Sequence, residues 1–195
     1  MKRLLILFFV FCLSLSHSIA KELDSDEIFD LKQNAYALYN TNHDDEAYEM
    51  LKKIPETSYD SENFLIIANI EEDKGNLDSA IENLNKAVKI DSKFYKAYYN
   101  LGSIYMKKQK YDSAEANFAL AAKYNKQNPY VFYNLGCAQL ANENYSKAKK
   151  SFVKAIYLKN DEKDFYYNLA YANKKLGNQK AAQKVIDFYN STFVK

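Results

Sequence analysis

Apolar residues recur at three- and four-residue intervals along almost the whole chain. Leu77, Ala80, Ile81, Leu84, Ala87 and Val88 keep one apolar stripe on a helix, with charged and amide residues between them. The same spacing joins Leu31, Ala35 and Leu38, then Ala47, Leu51 and Ile54, and later Leu169, Ala170, Ala182 and Ile186. The stripe itself repeats. Ala80, Ala114, Ala148 and Ala182 stand 34 residues apart, and so do Ile67, Leu101, Leu135 and Leu169. A fixed period of this size marks stacked supersecondary units that bury their apolar faces against one another. The spacing therefore predicts a helical repeat array with units at about 28–60, 61–94, 95–128, 129–162 and 163–195, forming one domain over 21–195.

Punctuation within the units agrees. Gly75 stands where a residue just past a helix C-terminus is expected. Pro129 follows Asn128 at the start of a unit, where the first helical turn tolerates proline. Gly102 and Gly136 fall in mid-helix, at a cost of about 1 kcal/mol against alanine. That cost is explained if a neighbouring helix crosses there, with Phe118 and Phe152 filling the gap between units. The first unit diverges: Ala47 lies 33 residues before Ala80, so one residue is missing near Pro55.

Tyr98-x2-Leu101-Gly102-x2-Tyr105 followed by Ala114-x3-Phe118 resembles the tetratricopeptide repeat pattern. The resemblance implies an all-α, right-handed superhelical solenoid of about ten antiparallel helices. The pattern is incomplete. Glu71, Gln139 and Asn173 stand where the second-turn tyrosine is usual, and Ser92, Lys126 and Asn160 replace the late proline, so softer helix ends are expected there.

Composition adds three constraints. With 18 Tyr, 12 Phe and 48% apolar residues a core can form, while only 2 Pro and 4 Gly argue against turn-rich β structure. Residues 1–20 have a different layout: basic Lys2 and Arg3, an apolar run from Leu4 to Leu15, then small Ser18 and Ala20. This is the three-part plan of a secretory signal peptide, and the run is short for a membrane span. The expected mature chain begins at Lys21, lies in the periplasm or is secreted, and has no transmembrane segment. Charge is uneven along it: residues 21–94 carry 18 acidic residues and 8 lysines, a net of −10, and residues 95–195 carry 7 and 17, a net of +10. Solvated repeat faces account for most such runs; a dipolar rod that steers a charged partner is the sharper reading.

The chemistry the chain offers is that of binding. There is no phosphate loop and no metal-ligand spacing, and no cofactor, catalytic or metal residue is assigned. Cys137, the one cysteine after residue 20, reads as a small apolar helix residue, and His43 as a helix-start residue. Export argues against a nucleic-acid partner for the basic half. The resemblance places the first helix of each unit on the inner face of the array, where peptides often lie. Asn100, Asn134 and Asn168 recur there at the repeat period, flanked by Tyr99, Tyr133 and Tyr167, with Tyr130 and Tyr171 nearby. Amides pair with an extended backbone and tyrosines add contact area at low entropy cost. Lys96 and Lys107 complete the candidate set. Leu65, Tyr99 and Tyr133 take the place of lysines that a carboxylate-clamp subtype would carry, which disfavours that subtype. The expected function is a non-catalytic adaptor for a protein or peptide segment. The alternative is an assembly protein working through the array ends, where Val185, Ile186 and Tyr189 form an apolar C-terminal edge suited to a partner or a second copy.

Overall fold

The computed structural model describes residues 23–193, so the expected signal peptide lies outside the described residues. Ten α-helices and one 3₁₀ turn, with no strand, make up the described residues. They divide into two compact units, with the division in the chain between Ser58 and Tyr59.

The first unit holds α1 (Ser25–Asn40) and α2 (Asp44–Leu51), then a 3₁₀ turn at Glu56–Ser58. Asp24 opens α1 with a capping box: its carboxylate accepts from the Asp26 and Glu27 amides, and Glu27 returns a bond to the Asp24 amide. His43 is the N-cap of α2, as its position suggested, and its Nδ1 lies 3.0 Å from the Thr41 hydroxyl. Ala35, Ala47, Leu51 and Ile54 are buried. The divergence near Pro55 takes the form of a short second helix, with 8 residues in α2 against 14 in α4.

The second unit is a run of four helix pairs: α3 (Ser61–Asp73) with α4 (Leu77–Ile90), α5 (Tyr95–Lys107) with α6 (Tyr111–Tyr124), α7 (Pro129–Ala141) with α8 (Tyr145–Leu158), and α9 (Lys163–Lys175) with α10 (Gln179–Phe193). Within each pair the turn passes through one left-handed residue: Gly75 at φ 82°, Gln109 at 56°, Glu143 at 58° and Gly177 at 76°. Glycine is free to adopt this conformation, whereas Gln109 and Glu143 are held in it by the turn. Pro129 sits in the first turn of α7, where the Asn128 side chain accepts from the Tyr130 amide at 3.0 Å.

The repeated alanines are the crossing points. Ala80, Ala114, Ala148 and Ala182 are buried on α4, α6, α8 and α10. Phe118 and Phe152 lie across from the mid-helix glycines. A Cβ on Gly102 would stand 2.7 Å from the Phe118 ring, and one on Gly136 would stand 2.6 Å from the Phe152 ring. The same ring of Phe118 also packs among Ala121, Val131 and Leu135, so it joins its own pair to the next. The turns between pairs, which lack the usual late proline, carry side-chain hydrogen bonds. Asp91 and Asn125 side chains accept from the Lys93 and Gln127 amides, while the Tyr98 and Tyr166 hydroxyls donate to the Ser92 and Asn160 carbonyls at 3.2 and 2.9 Å.

Candidate functional site

The second unit has first helices α3, α5, α7 and α9, and Asn100, Asn134 and Asn168 with Tyr99, Tyr133 and Tyr167 fall at matching positions on the last three. Asn100, Asn134 and Asn168 are half-buried and their amides do not stand free. Asn134 Nδ2 donates to the Tyr99 hydroxyl at 2.7 Å, and Asn168 Nδ2 donates to the Tyr133 hydroxyl at 2.9 Å. Each asparagine is thus locked to the tyrosine of the preceding first helix. The first rung is built differently: Asn100 Nδ2 donates to Asn69 Oδ1 at 2.5 Å. The three amide oxygens at 100, 134 and 168 meet no donor among the described residues.

The tyrosines divide into two sets. Tyr99 and Tyr133 are half-buried: Tyr99 edges onto Phe118 at 5.6 Å, and Tyr133 stacks on Phe165 at 4.8 Å. Burial raises the pKa of both hydroxyls above the usual tyrosine value, for Tyr133 with the neighbouring Cys137 adding to it. They stay neutral at physiological pH, and their oxygens accept from the asparagine amides. Cys137 has its thiol pushed up to about 11, chiefly by burial. It is therefore a poor nucleophile, and its sulfur lies 3.9 Å from the Asn168 amide nitrogen. Tyr130, Tyr167 and Tyr171 are exposed. The Tyr130 hydroxyl donates to Glu162 at 2.7 Å and accepts from Lys159, which also pairs with Glu162. Tyr171 lies beside the Lys175 ammonium, 5.5 Å from its ring centroid. Tyr167 is 66% exposed, with its hydroxyl unbonded among the described residues.

The candidate lysines are tied up. Lys96 pairs with Glu62 at 2.7 Å and Lys107 with Glu72 at 2.8 Å, so both bridge α3 to α5. The residues that replaced the second-turn tyrosine are polar struts: Gln139 accepts from Ser151 at 2.8 Å, and Asn173 donates to the Leu169 carbonyl at 3.0 Å.

Sequence reasoning missed Asn69, which lies 31 residues before its partner and so falls outside the period. It also missed Glu115, whose carboxylate accepts from Asn142, Asn144 and Lys147 at 3.0–3.1 Å and meets Gln139 at 3.5 Å. Among the described residues no group of three or more His, Cys, Asp or Glu side chains is placed to hold a metal, and no helix is long and apolar enough to cross a membrane.

Models of known families match most of the second unit. A TPR repeat model matches residues 68–109, and a tetratricopeptide repeat model matches 95–128, 129–162 and 164–187. No curated protein matches the chain in sequence. Among solved structures, MamA from AMB-1 is 20% identical with a TM-score of 0.76, covering 87% of this chain and 93% of that one. MamA from Desulfovibrio magneticus RS-1 is 20% identical with a TM-score of 0.72, covering 87% and 98%. The C-terminal part of a TPR repeat-containing protein from Cytophaga hutchinsonii is 26% identical with a TM-score of 0.71, covering 84% and 66%.

Proposed function

The chain belongs to the tetratricopeptide repeat family, and from that premise we propose that it is a non-catalytic adaptor that holds an extended protein segment along α5, α7 and α9, outside the cytoplasm. Its repeat array is a protein-interaction scaffold. The observation that carries the finer reading is the file of amide oxygens at Asn100, Asn134 and Asn168, which recur at the repeat period and meet no internal donor. An extended segment presents backbone N–H groups in a regular row, and such acceptors suit it. Tyr99 and Tyr133 fix which way two of the amides face, by taking up one amide N–H each. The proposed location rests on residues 1–20; a mature N-terminus at Lys21, read by mass spectrometry, is the expected result, and an intact Met1 would overturn it.

The groove is tested with two pairs of substitutions. Asn134→Ala with Asn168→Ala removes both the internal bonds and the amide oxygens that meet no internal donor. Tyr99→Phe with Tyr133→Phe removes the same internal bonds and leaves the oxygens. With a partner captured from the cell envelope and titrated by calorimetry, the asparagine pair is expected to weaken binding by roughly tenfold or more, since each lost bond is worth about 0.5–1.5 kcal/mol. The tyrosine pair is expected to weaken it much less. Equal losses from both would make the ladder structural and favour the second reading, assembly through the array ends, for which the exposure of Ile186 and Phe188 speaks.

A further inference from the structure

A cleft opens on the last described helix pair, α9 with α10. In the interior, Phe118 and Ala121 of α6 receive Val131 and Leu135 of the next first helix. At the matching positions α10 carries Ile186 and Tyr189, and α9 carries Ala170 where α5 and α7 carry glycine. A cleft of about 320 Å³ opens there, lined by Tyr167, Ala170, Tyr171, Lys174, Ile186 and Tyr189 among others. Tyr189 stands where α6 and α8 carry Ala121 and Ala155. Four tyrosines line the cleft, with Ala170 and Ile186 as its aliphatic residues. On the rim, Lys174 is exposed and pairs with no carboxylate among the described residues, unlike Lys96, Lys107 and Lys147. The hydroxyl of Tyr167 sits where Tyr99 and Tyr133 take a bond from the next asparagine, and it has no such partner.

We propose that this cleft anchors an acidic peptide segment by one bulky apolar side chain, with an adjacent carboxylate on Lys174 and a peptide amide or carbonyl on Tyr167. Charge complementarity selects an acidic segment: residues 95–195 carry 17 lysines against 7 acidic residues. A volume near 300 Å³ is at the small end of ligand sites and holds an aromatic or large aliphatic side chain. The inference deepens the groove reading, because the segment would run from the cleft onto the asparagine file, but the cleft can be tested alone.

The probe is a fluorescein-labelled Gly-Glu-Glu-Phe-Glu-Gly peptide, with a Phe→Ser peptide as control. It is titrated into the intact chain by anisotropy, with methyl NMR on Ile186. Saturable binding of the Phe peptide alone, with a shift of the Ile186 methyls, is expected. Lys174→Glu reverses an exposed charge and leaves the fold intact, which circular dichroism checks. It is expected to weaken the Phe peptide at least tenfold, while Asn134→Ala with Asn168→Ala weakens it far less. That pattern supports the cleft even if the groove reading fails. No binding, equal binding of both peptides, unchanged affinity in Lys174→Glu, or shifts confined to residues outside the cleft would each overturn it.

Discussion

Single residues set the spacing of helices within each pair. Across the second unit the small residue of the first helix and the large one of the second change together: Ala68 with Leu84, Gly102 with Phe118, Gly136 with Phe152, and Ala170 with Ile186. Glycine appears only opposite phenylalanine. The geometry gives the reason, since a Cβ at Gly136 would stand 2.6 Å from the ring of a fully buried Phe152. Gly136→Ala gains about 1 kcal/mol of helix propensity but forces that ring to move. Overpacking of this kind typically costs ~1–3 kcal/mol, so a net loss is expected. Adding Phe152→Leu recreates the Ala68–Leu84 pairing and should recover most of the loss that Gly136→Ala causes. Chemical denaturation of the two variants and of Phe152→Leu alone completes the cycle. A double variant whose loss equals the sum of its singles would mean the two positions are not partners.

At the scale of elements, neighbouring pairs are joined by polar side chains as well as by apolar contact. Glu115 on α6 is the clearest case. Burial alone would raise its pKa, but the bonds from Asn142, Lys147 and Asn144 outweigh that and hold the carboxyl below its ordinary value. A carboxylate with a lowered folded pKa contributes stability that is present above the unfolded value, near 4.5, and is lost as pH falls through the folded value. Glu115→Gln keeps the shape, removes the charge and leaves the Asn142 and Asn144 amides with a poorer acceptor. Its melting temperature should fall at pH 7, and the gap to the unchanged chain should narrow as pH is lowered below 4.5; a gap that does not change with pH would remove Glu115 from the account. None of this was legible in the sequence, because the partners come from α7, the following turn and α8, and no period links them. The periodic part was legible: the repeat spacing, the buried alanines, Gly75 and Pro129 all follow from local chain chemistry. The asparagines at 100, 134 and 168 and the tyrosines at 99, 133 and 167 share helical positions, as their spacing implies. Their bonds to one another depend on how successive pairs are staggered, and that is a property of the packed unit alone.

For the molecule as a whole, those bonds bear on how far the four pairs act together. The stability of a repeat array is approximately a sum of unit terms and nearest-neighbour interface terms. Lys96–Glu62, Lys107–Glu72 and Lys108–Asp78 tie the acidic α3–α4 pair to α5 and the turn after it. Being partly or largely exposed, they are screened by solvent and contribute little each. Among the described residues the later interfaces show no such ion pair between first helices; there a polar link is Tyr99–Asn134 and then Tyr133–Asn168. The second of these holds α9 to α7 beside the Tyr133–Phe165 stack. Tyr133→Phe keeps the stack and removes the hydroxyl; Asn168→Ala removes the amide. A double-mutant cycle on the two should give a coupling of about 0.5–1.5 kcal/mol, the worth of one hydrogen bond between neutral groups. Because the lost term belongs to one interface, its effect should be local. Amide hydrogen exchange is expected to rise in α9 and α10 while α3 to α6 keep their protection. Uniform loss of protection across all four pairs would mean that the unit opens as a single block, and coupling near zero would mean that the two side chains are neighbours without being a link.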